Sequence, residues 1–156
     1  MHRLWVWHSI AVLGRAHQLL RTAMKFVGLL QVDSVTDASW VAAASEAACS
    51  PLYRPPELYD PPTRGTLDGR VDVWALGCLL YFMMMRINPF EKQCMQGASL
   101  VLAVQRAKVD WSDAPDYLHP DLKELVHACL RPKLEERPTC TELRQWIGRM
   151  KQWIGR

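Results

Sequence analysis

The longest apolar run of the chain lies near its middle, between Asp68 and Arg86. Nearly every position of this run is apolar, so no polar face remains for water. A helix that is apolar on all sides is buried in a core, whereas a surface helix has one apolar stripe. Asp68 is suited to cap its start, and Asn88-Pro89 predicts its end. We therefore predict a mainly α fold in which shorter helices surround one buried central helix.

The segments before this helix have weaker patterns. Residues 33–50 are rich in Ala and Ser, and they predict a loop or a short helix from Val41 to Ala48. A Pro-rich bend over residues 51–65 follows, because proline favours turns over helix interiors.

Three further segments follow the central helix. Residues 87–97 predict a connection, and Ser99 is suited to cap a helix with Leu100, Val104 and Ala107 on one face. Pro120 occupies the tolerated first position of the next helix. Its predicted inner stripe consists of Leu122, Leu125, Val126, Cys129 and Leu130. A last helix is predicted to begin at Thr139 or Thr141, and residues 149–156 form a tail in which the pentapeptide QWIGR recurs.

Residues 1–32 differ from the rest of the chain. They contain four basic residues and no acidic one. Val6, Ile10, Leu13, Leu20 and Met24 fall near helical spacing, so we predict a basic, weakly amphipathic helical leader. The same composition is typical of an organelle transit peptide, which stays an alternative.

Composition limits the class of protein. A chain of 156 residues with 49% hydrophobic and 22% charged residues fits one globular domain. From Asp33 onward, 15 basic residues meet 16 acidic ones, so we expect no nucleic-acid partner. The five Cys residues are scattered without a C-x-x-C, which favours reduced thiols and a cytoplasmic location. The central run is too short for a transmembrane span, which needs about 20 apolar residues.

Two short motifs carry most of the functional information. Asp72, Trp74 and Gly77 form Asp-x-Trp-x-x-Gly within the central helix, and a buried carboxylate there must accept hydrogen bonds. The run Ser-Pro-Leu-Tyr-Arg-Pro-Pro-Glu ends at Glu57, and Arg137-Pro138 follows about eighty residues later. In the family that these motifs resemble, the Arg137 guanidinium would bind the Glu57 carboxylate, and arginine suits this role because its planar fork meets a carboxylate bidentately.

In their order and intervals, these motifs resemble the C-terminal lobe of protein kinases, from the activation segment to the last helix. The resemblance covers about residues 49–148, and we place a partial kinase domain at residues 33–148. Within kinases, the wording is similar to the Numb-associated group of Ser/Thr kinases and its palmitoylated branch. The resemblance implies a substrate-positioning loop and a set of structural residues. The loop comprises Ser50, Pro51, Leu52, Tyr53 and Arg54, and the structural residues are Glu57, Asp72, Trp74, Gly77 and Arg137.

The resemblance also implies a role for each part. Ser50 takes the place of the Thr that contacts the catalytic loop in kinases. Residues 51–54 would receive the substrate residue that follows the phosphorylated hydroxyl. Asp72 would hold the backbone of the catalytic loop. A protein substrate or partner would therefore bind the activation-segment surface.

The motifs that perform phosphoryl transfer are not found in the sequence. It contains no G-x-G-x-x-G, no V-A-I-K and no H-R-D, and Lys25 stands about where the metal-binding Asp would be. Lysine cannot offer Mg²⁺ an oxygen ligand. We therefore assign no catalytic, cofactor-binding or metal-binding residue to this chain, although the full-length family uses ATP and Mg²⁺.

Three interpretations remain open. The chain is part of a Ser/Thr protein kinase that is inactive by itself, either through a truncated or shifted reading frame or as a degenerate relative. Alternatively, it is a pseudokinase-type binding module that uses the loop, the Ser99 helix or the Trp-bearing tail. An unrelated helical bundle is the third interpretation, and the contact between Glu57 and Arg137 distinguishes it from the other two.

Overall fold

The structure is a computed structural model that describes residues 30–32, 35–116 and 118–154. The predicted leader helix lies outside these residues. Two strands, β1 (Leu30–Val32) and β2 (Gly65–Leu67), pair antiparallel, with Leu30 opposite Leu67. The helices are α1 (Val35–Ala48), α2 (Pro56–Tyr59), α3 (Arg70–Met85), α4 (Glu91–Met95), α5 (Leu100–Arg106), α6 (Pro120–Cys129) and α7 (Cys140–Ile154). Short 3₁₀ turns occur at Pro51–Tyr53 and Leu134–Glu136.

The predicted central helix is α3, and it is the centre of the main core. Trp74 and Val73 are fully buried, and the main cluster joins α3 to side chains of α5, α6 and α7. A smaller cluster forms where α1 and β2 meet the first turn of α3, around Val71. The mainly α fold around a buried central helix is therefore confirmed.

Gly77 sets the distance between α3 and α6. A Cβ atom at this position would lie 2.7 Å from Cys129 Cβ and 2.9 Å from two side-chain atoms of Leu130. Such distances lie well inside van der Waals contact, so only glycine permits this approach. The predicted inner stripe of α6 faces this contact, and all five of its residues are buried.

Several predicted boundaries were wrong. α3 ends at Met85, before Asn88-Pro89, because Arg86 adopts a left-handed conformation with φ 61°. This helix is also not buried all round, since 38% of Phe82 is exposed. The Asp68 carboxylate accepts a hydrogen bond from the Arg70 amide at 2.9 Å, although Gly69 is the capping residue.

The flanking elements differ from the predictions as well. α1 begins at Val35, six residues before the predicted Val41, and the predicted connection after α3 contains α4. Ser99 precedes α5 but makes no side-chain capping bond. The last helix begins at Cys140, between the two predicted starts, and Thr139 caps it: its hydroxyl accepts from the Glu142 amide at 3.3 Å and its amide donates to the Glu142 carboxylate at 2.7 Å. Among the described residues, no helix is both long and apolar enough to cross a bilayer.

The loop between α5 and α6 is fixed to the core by an aromatic contact. Trp111 packs edge-on against Tyr81 of α3, with ring centroids 4.9 Å apart. Its indole N–H donates to Nε2 of His127 on α6 at 2.9 Å. Burial lowers the pKa of His127 below its usual value, and the positive charge of Arg131 adds to this shift. The neutral imidazole is therefore the form that the fold stabilises.

Substitution of Gly77 tests the packing of α3 on α6. We expect Gly77→Ala to lower the free energy of unfolding by about 1–3 kcal/mol, because its methyl group overpacks the contact. The matched control is Gly148→Ala in α7, where a Cβ meets nothing within 4 Å. This control should be neutral or stabilising by about 0.5–1 kcal/mol, since alanine favours helix. Urea denaturation of both variants measures the difference, and equal stabilities would contradict the assigned role of Gly77.

The contact of His127 predicts a pH dependence. The pKa of His127 is lower in the folded than in the unfolded protein. The contact between Trp111 and His127 therefore contributes fully to stability above the unfolded pKa of 6.5. This contribution is lost as pH falls through the folded pKa. We expect thermal unfolding of the parent chain to lose stability on acidification below pH 6.5, and His127→Ala to lose less. The other histidines are present in both proteins, so their effects on stability cancel in the comparison. Parallel pH profiles of the two proteins would refute the contact.

Candidate functional site

The predicted loop Ser50–Arg54 connects α1 to α2 as a tight turn. The Tyr53 amide donates to the Ser50 carbonyl at 3.0 Å, and the Arg54 amide donates to the Pro51 carbonyl at 3.2 Å. Ser50 and Pro51 are exposed, whereas Leu52 and Tyr53 are partly buried. The side of the turn with Ser50 and Pro51 therefore faces solvent, and the side with Leu52 and Tyr53 packs towards the core.

Arg54 is the inward-facing residue of this loop. It is only 6% exposed, and its Nη2 donates to the carbonyls of Ser45 and Cys49 at 3.3 Å each. Its guanidinium carbon lies 5.0 Å from the ring centroid of Tyr59. The Ser45 carbonyl also accepts from the Cys49 amide at 2.9 Å, so Arg54 adds a second bond there, and at Cys49 it binds a carbonyl beyond the end of α1. The side chain of Arg54 thus fixes the loop to the end of α1.

Two further side chains hold the outer part of the loop. The Tyr59 hydroxyl donates to the Pro51 carbonyl at 2.8 Å, and Nδ2 of Asn88 donates to the Leu52 carbonyl at 2.9 Å. Burial raises the pKa of Tyr59 above its usual value, and the nearby Arg54 charge opposes this shift. Two consecutive carbonyls of the loop, those of Pro51 and Leu52, are thus bonded by side chains from outside it, and the side chain of Arg54 binds the end of α1, so the loop is held in one shape.

Behind the loop, Glu57 and Arg137 form the predicted ion pair. Nη1 of Arg137 donates to Oε1 of Glu57 at 2.7 Å, and Nη2 donates to Oε2 at 2.6 Å. The side chain of Arg137 has no exposed surface, and that of Glu57 is 11% exposed. The pair is therefore bidentate and almost fully buried, as the kinase resemblance implied.

The guanidinium of Arg137 also binds three backbone carbonyls. Nε donates to Arg131 at 2.7 Å, Nη1 to Arg70 at 3.1 Å and Nη2 to Pro132 at 3.1 Å. A guanidinium has five N–H donors, and all five are used here. One side chain thus joins α2, the start of α3 and the turn after α6.

The indole ring of Trp74 packs against the guanidinium of this ion pair. Its ring centroid lies 4.9 Å from the guanidinium carbon of Arg137, a cation–π contact in a site without water. The opposite neighbour is Phe90, which stacks on the indole with centroids 5.5 Å apart. Trp74 therefore links the ion pair to the segment that also carries Asn88.

Asp72 lies apart from this cluster. It is partly buried, and burial raises the pKa of its carboxyl above the usual value. Within the part of the chain that the structure describes, no donor bonds its carboxylate. The backbone partner implied by the kinase resemblance is not among these residues, so the role of Asp72 stays a prediction.

The structure also includes residues that the sequence analysis missed. Tyr59 and Asn88 bond carbonyls of the loop itself. The Ser45 hydroxyl donates to the Leu58 carbonyl of α2 at 3.2 Å. Asn88 had been interpreted only as a helix terminator. Its position before Pro89-Phe90 was the available signal, because an Asn at a turn readily bonds nearby backbone.

The comparisons with known proteins agree with this geometry. The family described as protein kinase domain matches residues 31–147. The chain is 30% identical over 130 residues to serine/threonine-protein kinase ppk13 of Schizosaccharomyces pombe, covering 82% of this chain and 38% of that protein. It is 32% identical over 110 residues to serine/threonine-protein kinase 16 of Rattus norvegicus, covering 70% and 35%.

A solved structure, titin kinase and its flanking domains, has a similar fold with a TM-score of 0.53 and 24% identity, over 69% of this chain and 19% of that one. The fold is that of a kinase C-terminal lobe, and the chain belongs to the protein kinase family. It spans little more than a third of the length of the two relatives named above.

Removal of Glu57 tests the ion pair. We expect Glu57→Ala to lower the free energy of unfolding by about 3–5 kcal/mol, because it leaves the buried Arg137 charge without a counterion. The matched control is Lys133→Ala, which breaks the exposed pair with Glu136. That loss should stay below about 1 kcal/mol. Similar melting temperatures for the two variants would show that the buried pair contributes little.

Proposed function

We propose that this chain provides the substrate-docking surface of a Ser/Thr protein kinase of the Numb-associated group, in its palmitoylated branch. The activity of the whole protein would be ATP-dependent phosphorylation of protein Ser or Thr. The names of the relatives as serine/threonine-protein kinases support the class. Support for the narrower branch is limited to the sequence wording.

The observation that carries the proposal is the fixed shape of the loop Ser50–Arg54. A surface that recognises an extended peptide gains affinity when it is already ordered, since the surface itself then loses little conformational entropy on binding. Here the backbone is held by Asn88 and Tyr59, and the side chain of Arg54 points into the protein. The edge around Ser50 and Leu52 is left to meet a substrate residue.

We further propose that the described residues of this chain do not hold Mg-ATP. Among the described residues, no group of three His, Cys, Asp or Glu side chains is placed to hold a metal ion. The sequence also lacks the phosphate-binding and metal-binding motifs of kinases. We therefore expect the chain alone to bind protein segments without transferring phosphate. A non-catalytic, pseudokinase-type binding module is the alternative function.

Peptide binding tests the docking surface. We expect the chain to bind a degenerate peptide library with one fixed Ser, and Leu52→Asp to weaken binding at least fivefold and alter the preferred residue after that Ser. Met95→Asp is the control, because Met95 is 79% exposed on α4, outside the loop and outside the other proposed binding surfaces. Fluorescence polarisation measures the affinities. Equal affinity of both variants would exclude the loop as the binding site.

The same preparation separates the two functions. Mg-ATP should leave its melting temperature unchanged, because the nucleotide-binding motifs are missing. A nucleotide-dependent rise would contradict the assignment of a non-catalytic chain. Recovery of Ser phosphorylation when a segment with the Gly-rich loop, the V-A-I-K lysine, the H-R-D loop and the metal-binding Asp is supplied would favour the kinase over the pseudokinase.

A further inference from the structure

The hydroxyl of Tyr59 holds the loop Ser50–Arg54 from outside. It donates to the Pro51 carbonyl at 2.8 Å, and this bond lies at the surface of the protein. The same carbonyl accepts from the Arg54 amide at 3.2 Å, so the bond of Tyr59 supports the turn that gives the loop its shape. A hydroxyl in this place is open to chemical modification, and its modification would act directly on the loop.

The cation beside this hydroxyl is Arg54. Its guanidinium carbon lies 5.0 Å from the ring centroid of Tyr59. Burial raises the pKa of Tyr59 and the charge of Arg54 opposes this rise, so that charge acts on the hydroxyl as well as on the ring. Arg54 is 6% exposed, and its Nε has no hydrogen-bond partner within the described part of the chain. An anion attached to Tyr59 would therefore meet a cation with an unused donor.

We propose that Tyr59 is a phosphorylation site and that a phosphate there releases the loop Ser50–Arg54. This inference names a regulation of the docking surface and rests on the proposed function. A protein-tyrosine kinase with Mg-ATP would supply the phosphate. The Tyr59 oxygen attacks the γ-phosphorus, the bond from that phosphorus to the β–γ bridging oxygen breaks, and ADP leaves with the electron pair. The hydroxyl proton passes to the base of that kinase.

A phosphate on Tyr59 would remove the bond to the loop. Phosphorylation replaces the O–H donor by acceptor oxygens, and the phosphate carries a charge of about −1.5 to −2 at neutral pH. The Pro51 carbonyl is also an acceptor, so the phosphate repels it instead of binding it. The side chain of Tyr59 therefore has to leave its present position on the loop.

The same phosphate would compete for Arg54. A guanidinium binds phosphate through charge-assisted hydrogen bonds, which are about twice as strong as bonds between neutral groups. In the unmodified protein, Nη2 of Arg54 donates to the carbonyls of Ser45 and Cys49 at 3.3 Å each. These are long bonds to neutral acceptors, so the phosphate is the stronger partner. One modification would thus weaken the contact of Arg54 with α1 as well as the contact of Tyr59 with the loop.

Phosphorylation of the full chain in vitro tests the site. The chain carries Tyr53→Phe, which removes the neighbouring tyrosine of the loop as an acceptor. The enzyme is a tyrosine-kinase domain chosen because it phosphorylates the free peptide of residues 54–65, in which Tyr59 is the one tyrosine. We expect mass spectrometry to find phosphate on Tyr59 of the folded chain and none on Tyr81, which is 3% exposed. A folded chain that stays unmodified at Tyr59 would overturn the proposal.

Hydrogen exchange of the loop measures the consequence. We expect the amides of residues 52–54 to exchange about fivefold faster after phosphorylation, the factor that the loss of one hydrogen bond gives. A tyrosine phosphatase should restore the slow rate. The matched control carries both Tyr53→Phe and Tyr59→Phe, and the kinase treatment should leave its exchange unchanged. Equal or slower exchange of the phosphorylated loop would overturn the proposal.

Peptide binding by the same samples separates this inference from the proposed function. We expect phosphorylation of Tyr59 to weaken binding of the Ser-containing peptide library about fivefold. A chain that binds no peptide before treatment would refute the docking function, and the exchange rates would still decide whether Tyr59 controls the loop. Faster exchange with unchanged peptide affinity would support the release of the loop and refute the loop as the docking surface.

Discussion

The guanidinium of Arg137 is the group on which the described structure depends most. A buried charge costs several kcal/mol of desolvation unless its donors are satisfied, and here one carboxylate and three carbonyls satisfy all five N–H groups. A lysine ammonium has three donors and no planar fork, so it cannot replace this arrangement. The ion pair therefore requires an arginine at this position, and it requires the carboxylate of Glu57 opposite.

This requirement fixes more than two residues. Because Nη1 also binds the carbonyl of Arg70, the first turn of α3 is held against α2. Because Trp74 packs against the guanidinium of the pair and stacks on Phe90, the segment that carries Asn88 is held as well. Asn88 then bonds the Leu52 carbonyl, so the order of the proposed docking loop derives from a charge buried behind it.

The parts of the site that could be predicted are those in which chemistry allows few alternatives. The kinase resemblance implied the Glu57–Arg137 pair, and the long apolar run predicted the buried central helix, whereas the close approach at Gly77 was not predicted. The length of α1 could not be predicted, because its inner positions include Ala38 and Ser45, which give little contrast between apolar and polar faces. The three-residue strands are too short for a period-2 pattern, and the end of α3 at Arg86 carries no glycine signal.

α3 has two unlike sides among the described residues. One side is packed so closely on α6 that a single methyl group does not fit at Gly77, and the other side leaves Asp72 and Leu79 partly exposed. The half-buried carboxylate of Asp72 bonds no donor among the described residues, and a carboxylate in such a place needs hydrogen-bond donors from a neighbouring segment. In the kinase resemblance that segment is the catalytic loop, whose backbone Asp72 would hold.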